Sequence, residues 1–392
     1  MTLENLSPHI DLEHSRKYAE ALVEAFGIGD AAVLDRLRWN HPRFRGLKDA
    51  DIRAGEFSLA DAQLVVARLH HFASWTQLLE HIERLTRPDT QVVRFEQAAD
   101  AITVGDAVGL RARLREFPEL VRERSPRDHR ATLLHYVAAN GVEDYRQKSP
   151  GNAVAIAKEL LDTGAVVDAT CDAYGGGWTT LGLVATSQHP RGAGVQIPLI
   201  DLLLGYGAAP DGVRPDDSMV RWALANSCPE AAHALVERGA RIDDLVAAAG
   251  VGRVDVVARL VETSSKDDRE NALIMAARYG QYDVVRLLLD RGVDVAASDG
   301  MTALHHAAGL ADLRMIRLLI ERGGPLEKEN AWGGTVLSST LWFADNASAG
   351  EFEHRDYAST LDTLIAAGAR TDVYPDMGRH IDAVYRRAGW AR

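Results

Sequence analysis

NALIMAARYGQYDVVRLLLDRGVDVAASDG (Asn271 to Gly300) is followed directly by MTALHHAAGLADLRMIRLLIERGGPLEKEN (Met301 to Asn330), and the two stretches align almost without gaps. Each holds two apolar-periodic runs around a short turn. In the second copy the first run is small and tight (Ala303, Leu304, Ala307, Ala308), while the following run is bulky at helical spacing (Met315, Ile316, Leu318, Leu319, Ile320). Gly323 stands just past the second run, where a left-handed residue ends a helix. A helix pair of this size cannot bury its own apolar stripe. It must stack on copies of itself to make a core, so the reading is an all-α solenoid.

The pattern resembles the ankyrin repeat, which runs T-P-L-H-x-A-A-x-x-G, a turn, and a helix ending L-L-x-x-G-A-D-V. Thr302, Leu304, His305, Ala307 and Ala308 match it in one copy, and Thr132, Leu134, His135, Ala138 and Gly141 in another. Helix ends of the same type occur at Leu160 to Ala169, Leu202 to Gly212, Leu235 to Asp243 and Leu364 to Asp372. The resemblance covers roughly Glu96 to Tyr374 and implies about seven to eight repeats. The motif proline is missing throughout, and the unit near Asp243 is short and ends in Thr263, Ser264 and Ser265, which predicts the least regular joint there. The resemblance also implies that His135 and His305 hydrogen-bond between neighbouring repeats rather than act in chemistry.

The helix-ending glycines measure the units against a standard length of about 33 residues. Gly207 to Gly239 spans 32 and Gly292 to Gly323 spans 31, but Gly164 to Gly207 spans 43 and Gly323 to Gly368 spans 45. The additions are Ser187 to Val195 and Ala344 to Asp356, with a third at Val142 to Gly151. All three fall at the same point of the unit, which predicts that they share one rim of the stack.

Residues 1–90 read as a helical leader that caps the array. Helical spacing runs through His14 to Pro42, and Ser58 (with Asp61 at N3) and Ser74 are set as N-caps of two further helices. Residues 91–375 form the array, and 376–392 a C-terminal helix or cap. The leader resembles helical segments that precede ankyrin arrays in some bacterial proteins.

Composition limits the function classes. Of 392 residues 46% are hydrophobic and 26% charged, ordinary for a globular chain rather than a disordered one. No apolar run is long enough to span a membrane, the start carries no secretory pattern, and two cysteines form no framework, so a reducing cytoplasm is the expected compartment. A net charge of -12 argues against nucleic-acid and anionic-membrane partners. Neither a metal-binding His/Cys spacing nor a phosphate-binding glycine loop is present, and no cofactor is expected. The glycines of DAYGGGWTTLG (Asp172 to Gly182) fit either a tight hairpin or a close approach by a ligand between Tyr174 and Trp178.

The first-helix residues just before the motif glycine should face the concave side. These are Ala139 and Asn140, Thr186 and Ser187, Arg278 and Tyr279, Gly309 and Leu310, and Trp342 and Phe343. With neighbouring aromatic and polar residues they give a candidate binding surface of Tyr136, Asn140, Tyr145, Arg146, Tyr174, Trp178, His189, Arg221, Trp222, Trp332 and Trp342. Two function classes follow. One is a module that recognises a partner protein or peptide through the concave face and inserted rim loops. The other is a small-molecule-binding protein or enzyme with its site in the groove, taking an organic ligand, neutral or anionic, with His189 or Tyr145 as acid-base candidates and Arg146 for an anionic group.

Overall fold

The computed structural model describes residues 10–88, 90–214, 217–346 and 355–389. The chain divides into two compact units, Met1–Asp217 and Ser218–Arg392.

The first unit opens with helices Leu12–Gly27, Ala31–Asn40, Asp49–Arg53, Leu59–Leu69 and Trp75–Leu85. The stripe from His14 onward is split rather than continuous, because Gly29 turns the chain at φ 76° and Asp30 caps the next helix. Ser58 accepts from the Asp61 amide while the Asp61 carboxylate accepts from the Ser58 amide, a reciprocal cap. Ser74 caps Trp75–Leu85 through the Gln77 amide. Ala19, Leu22, Val33, Leu34, Leu37, Val65, Val66 and Leu78 form the leader's own core.

Repeats begin after the Thr90 cap. Gln91–Val104 pairs with Ala107–Glu116, Leu133–Ala138 with Ala153–Asp162, and Thr180–Ala185 with Gln196–Gly205. In the second unit Met219–Ala225 pairs with Pro229–Glu237, Leu245–Gly250 with Val254–Leu260, Lys266–Arg278 with Tyr282–Asp290, Ala303–Leu310 with Leu313–Glu321, and Val336–Asp345 with Tyr357–Ala366. Met377–Arg387 follows, with Met377, Ile381, Val384 and Tyr385 joining the second unit's core. Leu133–Ala138 is wound as a 3-10 helix and closes on Ala139 at φ 48°. The joint after Leu260 is irregular: Ser265 caps the Lys266 helix directly, with no finger between.

The Thr-x-x-His motif explains how neighbouring repeats are held. In both copies the histidine Nδ1 lies 2.8 Å from the threonine Oγ1, fixing the ring. The opposite nitrogen then reaches the following finger: His135 Nε2 to the Trp178 carbonyl at 3.3 Å, and His305 Nε2 to the Gly334 carbonyl at 3.2 Å. Both imidazoles are therefore structural.

Leu160, Leu203, Leu288 and Leu319 are fully buried on the second helices. Truncation of Leu319 to Ala should cost about 2–5 kcal/mol, the removed methyl groups leaving a cavity that the stacked helices cannot close. Urea melts checked at equal protein concentration would measure it.

Candidate functional site

In the second unit the first helices stack side by side: Met219–Ala225 on Leu245–Gly250, then Lys266–Arg278, Ala303–Leu310 and Val336–Asp345. Their C-terminal turns form one surface. Trp342 projects from it, 61% exposed, with its ring edge-on to Phe343 at 5.3 Å. Phe343 lies over Gly309, where a Cβ would come within 2.9 Å of the ring, so only glycine lets this aromatic settle. Arg278 sits over the Tyr279 ring at 5.6 Å, and the Tyr279 hydroxyl donates back to the Leu224 carbonyl. Trp222 is 40% exposed one repeat pair away, and Arg221 Nη1 lies 4.0 Å from Asp244. Trp332 stands 80% exposed in the turn that Asn330 closes, its amide donating to the Asn330 side-chain oxygen. Of each expected concave pair, one member often belongs to the packing: Ala139, Ser187 and Gly309 are buried.

In the first unit the triple glycine is the tip of a hairpin. Thr170–Cys171 pairs antiparallel with Trp178–Thr179, and Gly175, Gly176 and Gly177 take φ of 96°, 96° and 81°. Tyr174 and Trp178 do not flank an open slot: their rings meet edge-to-face at 6.1 Å. The Tyr174 hydroxyl donates to the Asn140 side-chain oxygen at 2.7 Å, and the Asn140 amide donates to Thr186 Oγ1 at 3.1 Å. Asn140, Tyr174 and Trp178 thus come together, while Trp222 belongs to the other unit.

Three expected groove residues lie elsewhere. Tyr136 is fully buried and donates to Glu143 at 3.3 Å. Arg146 is buried too, donating to Glu96 Oε2 at 2.6 Å and Asp100 Oδ1 at 2.6 Å. Tyr145 is half-buried, its hydroxyl accepting from Arg127 Nη2 at 3.4 Å. The insert that carries Tyr145 and Arg146 folds back onto the preceding helix Gln91–Val104 rather than standing free. The second insert forms the short helix Gln188–Gly192 and leaves His189 exposed, held by Gln196, whose amide donates to the Val184 and Ser187 carbonyls. No hydrogen bond joins Tyr145 to His189, and burial pushes the Tyr145 hydroxyl up, away from acid-base work near neutrality. The third insert lies mostly outside the described residues. Where it resumes, Arg355 and Tyr357 both donate to the Gly309 carbonyl.

The structure adds a buried ion network that sequence reasoning missed. Arg127 is fully buried; it donates to the His70 carbonyl at 2.9 Å and to Glu96 Oε2 at 3.0 Å, and pairs through Nε with Glu143. His129 Nε2 lies 3.4 Å from the same Glu143 oxygen. Burial alone would raise the Glu143 carboxyl, but Arg127, with His129 and Arg146 beside it, holds it well below the usual range. Burial followed by repulsion from Arg127 lowers His81 to about 4, and its Nε2 stands 3.6 Å from Glu96. This network ties the leader to the first repeats, since His70 and His81 come from one and Glu96, Arg127 and Arg146 from the other.

The sequence model described as ankyrin repeats (3 copies) matches residues 195–299 and 245–330. Among curated proteins, the chain is similar to an ankyrin repeat-containing protein of Treponema pallidum (strain Nichols), 34% identical over 153 residues, which is 38% of this chain and 45% of that protein. It is similar to protein PhlB of Serratia liquefaciens, 36% identical over 132 residues, 32% of this chain and 53% of PhlB. An ankyrin repeat protein of Pyrobaculum aerophilum is 43% identical over 68 residues, 17% of this chain and 26% of that protein. The chain therefore spans about half or less of these relatives. No helix among the described residues is long and apolar enough to cross a membrane. The matched repeats, the stacked helix pairs and the Thr-x-x-His bonds between them together identify an array of ankyrin repeats in this chain, matched over residues 195–330.

Proposed function

We propose that this protein recognises a partner protein or peptide through the concave face of its repeats and the loops along their rim. The observation that supports the reading is Trp342, a large aromatic left mostly in water at the end of a helix whose other face is fully packed. Leaving such a surface exposed forgoes burial energy, and tryptophan is the residue type most enriched among side chains that dominate binding interfaces. Trp332 and Trp222 extend the apolar display within the same unit, and Arg278 adds a cation beside Tyr279. A groove of this kind suits an extended or helical segment with apolar anchors and acidic flanks.

The test separates packing from recognition. Trp342→Ala should weaken partner binding by about 2 kcal/mol or more while shifting stability by no more than about 0.5 kcal/mol. Leu319→Ala should lower stability instead. Equal destabilisation by both, measured by urea melts beside affinity titrations, would make Trp342 a core residue and remove the support for this reading.

A further inference from the structure

The first unit holds a cleft of about 390 Å³ between the helix Trp75–Leu85 and the loop that leads into Leu133–Ala138. One wall is a single helical stripe, Gln77, His81 and Arg84, at spacings of four and three residues. Arg127 and Arg130 come from the loop opposite, and Phe72 lies behind, its ring tilted 46° against His81 at 4.9 Å between ring centres.

The polar groups here are unevenly spent. His81 is 3% exposed, and neither of its ring nitrogens has a hydrogen-bond partner. Such an atom inside a protein costs free energy unless a partner satisfies it. Glu96, at 3.6 Å, is too distant to be a proper hydrogen-bond partner. Gln77 uses its oxygen on the Ala73 amide, so its NH2 group is the end available to a ligand. Among the described residues Arg84 has no side-chain hydrogen bond or ion pair, although Glu80 lies on the same helix face. Arg130 spends one nitrogen on the Ser125 carbonyl at 3.3 Å and is held at φ 50°, a left-handed conformation that fixes where its side chain departs. Two acids, Glu80 and Asp128, complete the lining. Burial raises the Asp128 carboxyl, which weakens its claim on the arginines. Arg127 is already satisfied by Glu96 and Glu143 and serves as the cleft's rigid back.

The guanidinium groups of Arg84 and Arg130 and the Gln77 amide thus face a half-open recess of a size that suits a small molecule. We propose that this cleft binds a small organic anion bearing a carboxylate or a phosphate ester. Its oxygens accept from the Arg84 and Arg130 guanidinium groups and the Gln77 amide, with the buried His81 ring behind them as part of the inner wall. Arginine suits this task because its planar fork donates in pairs to either oxyanion. The seat joins leader to array, so an occupied cleft also braces that junction.

Isothermal titration of the full chain with succinate and, separately, with glycerol 3-phosphate tests the site and distinguishes the two anion types. Saturable binding of at least one probe at millimolar or tighter affinity is expected, weakened about tenfold in Arg84→Gln and in Gln77→Leu. Arg87→Gln, on the same helix end but paired with Glu83 and not lining the cleft, should bind as the unaltered chain does. Absence of saturable heat with both probes would overturn the proposal. So would unchanged affinity in Arg84→Gln, or equal weakening in Arg87→Gln.

Discussion

Replacing Arg127 with Met should destabilise the first unit by about 3–5 kcal/mol, a large share of the 5–15 kcal/mol that typically holds a domain folded. The guanidinium sits at zero exposure between two carboxylates, Glu96 and Glu143, and also caps the His70 carbonyl. Methionine preserves much of the volume but leaves Glu143 buried with the Tyr136 hydroxyl at 3.3 Å and, as charge partners, His129 and an Arg146 nitrogen at 3.4 and 3.5 Å. The loss therefore comes from stranded charge rather than from a cavity. Arg127→Met combined with Glu143→Gln should recover part of it, because Arg146 still neutralises Glu96 at 2.6 Å. Denaturant melts of the single and double variants decide the matter: a single-variant cost under about 1 kcal/mol would show that the network contributes little.

The same region should make the protein acid-labile well above the range in which carboxylates titrate. His70 is lowered to about 3, and His71, His81 and His135 to about 4, from an ordinary 6.5, in each case chiefly by burial. Unfolding lets these imidazoles take up protons between pH 6.5 and about 4 that the folded form refuses. For a depressed folded pKa, stability is whole above the unfolded value and drains as pH falls towards the folded one. Each group contributes about 1.4 kcal/mol per pH unit in that window, so the four remove about 5.5 kcal/mol per unit. The depressed carboxyls of Glu96 and Glu143 add their loss only at lower pH. A cooperative loss of near-ultraviolet circular dichroism around pH 5, accompanied by uptake of about four protons by these rings, is the expected outcome. A signal unchanged down to pH 4 would mean these rings are hydrated or already charged.

The fold was readable because its signals are local. Thr302 and His305 are three residues apart, and that spacing alone allows the reciprocal cap that points Nε2 at the next finger. Ser58 with Asp61 and the glycines 175–177 are of the same kind, short patterns with one economical geometry. The concave display was readable in part, since helix periodicity places Trp342 outside while Leu341 is buried beside it. What periodicity does not encode is which polar side chains leave the surface. Tyr145 and Arg146 stand in a polar insert, and such residues are ordinarily exposed. Arg146 is buried here because Glu96 and Asp100, some fifty positions earlier, offer carboxylates on the repeat beneath, and Tyr145 is half-buried beside Arg127. The cleft beside His81 is equally non-local, its walls coming from residues 77–84 and 126–130. An acid at Glu96 on the face of a helix otherwise committed to packing was the one available hint.

Partner recognition by the repeats is tested most directly by site-specific photo-crosslinking from the full chain in its native host. A photoreactive residue in place of Trp342 or Trp332 should give discrete adducts with the same protein partner, while the same residue in place of Arg317, exposed on the second helix of its repeat, should give none. Adducts from position 317 with none from 332 and 342 would contradict the account.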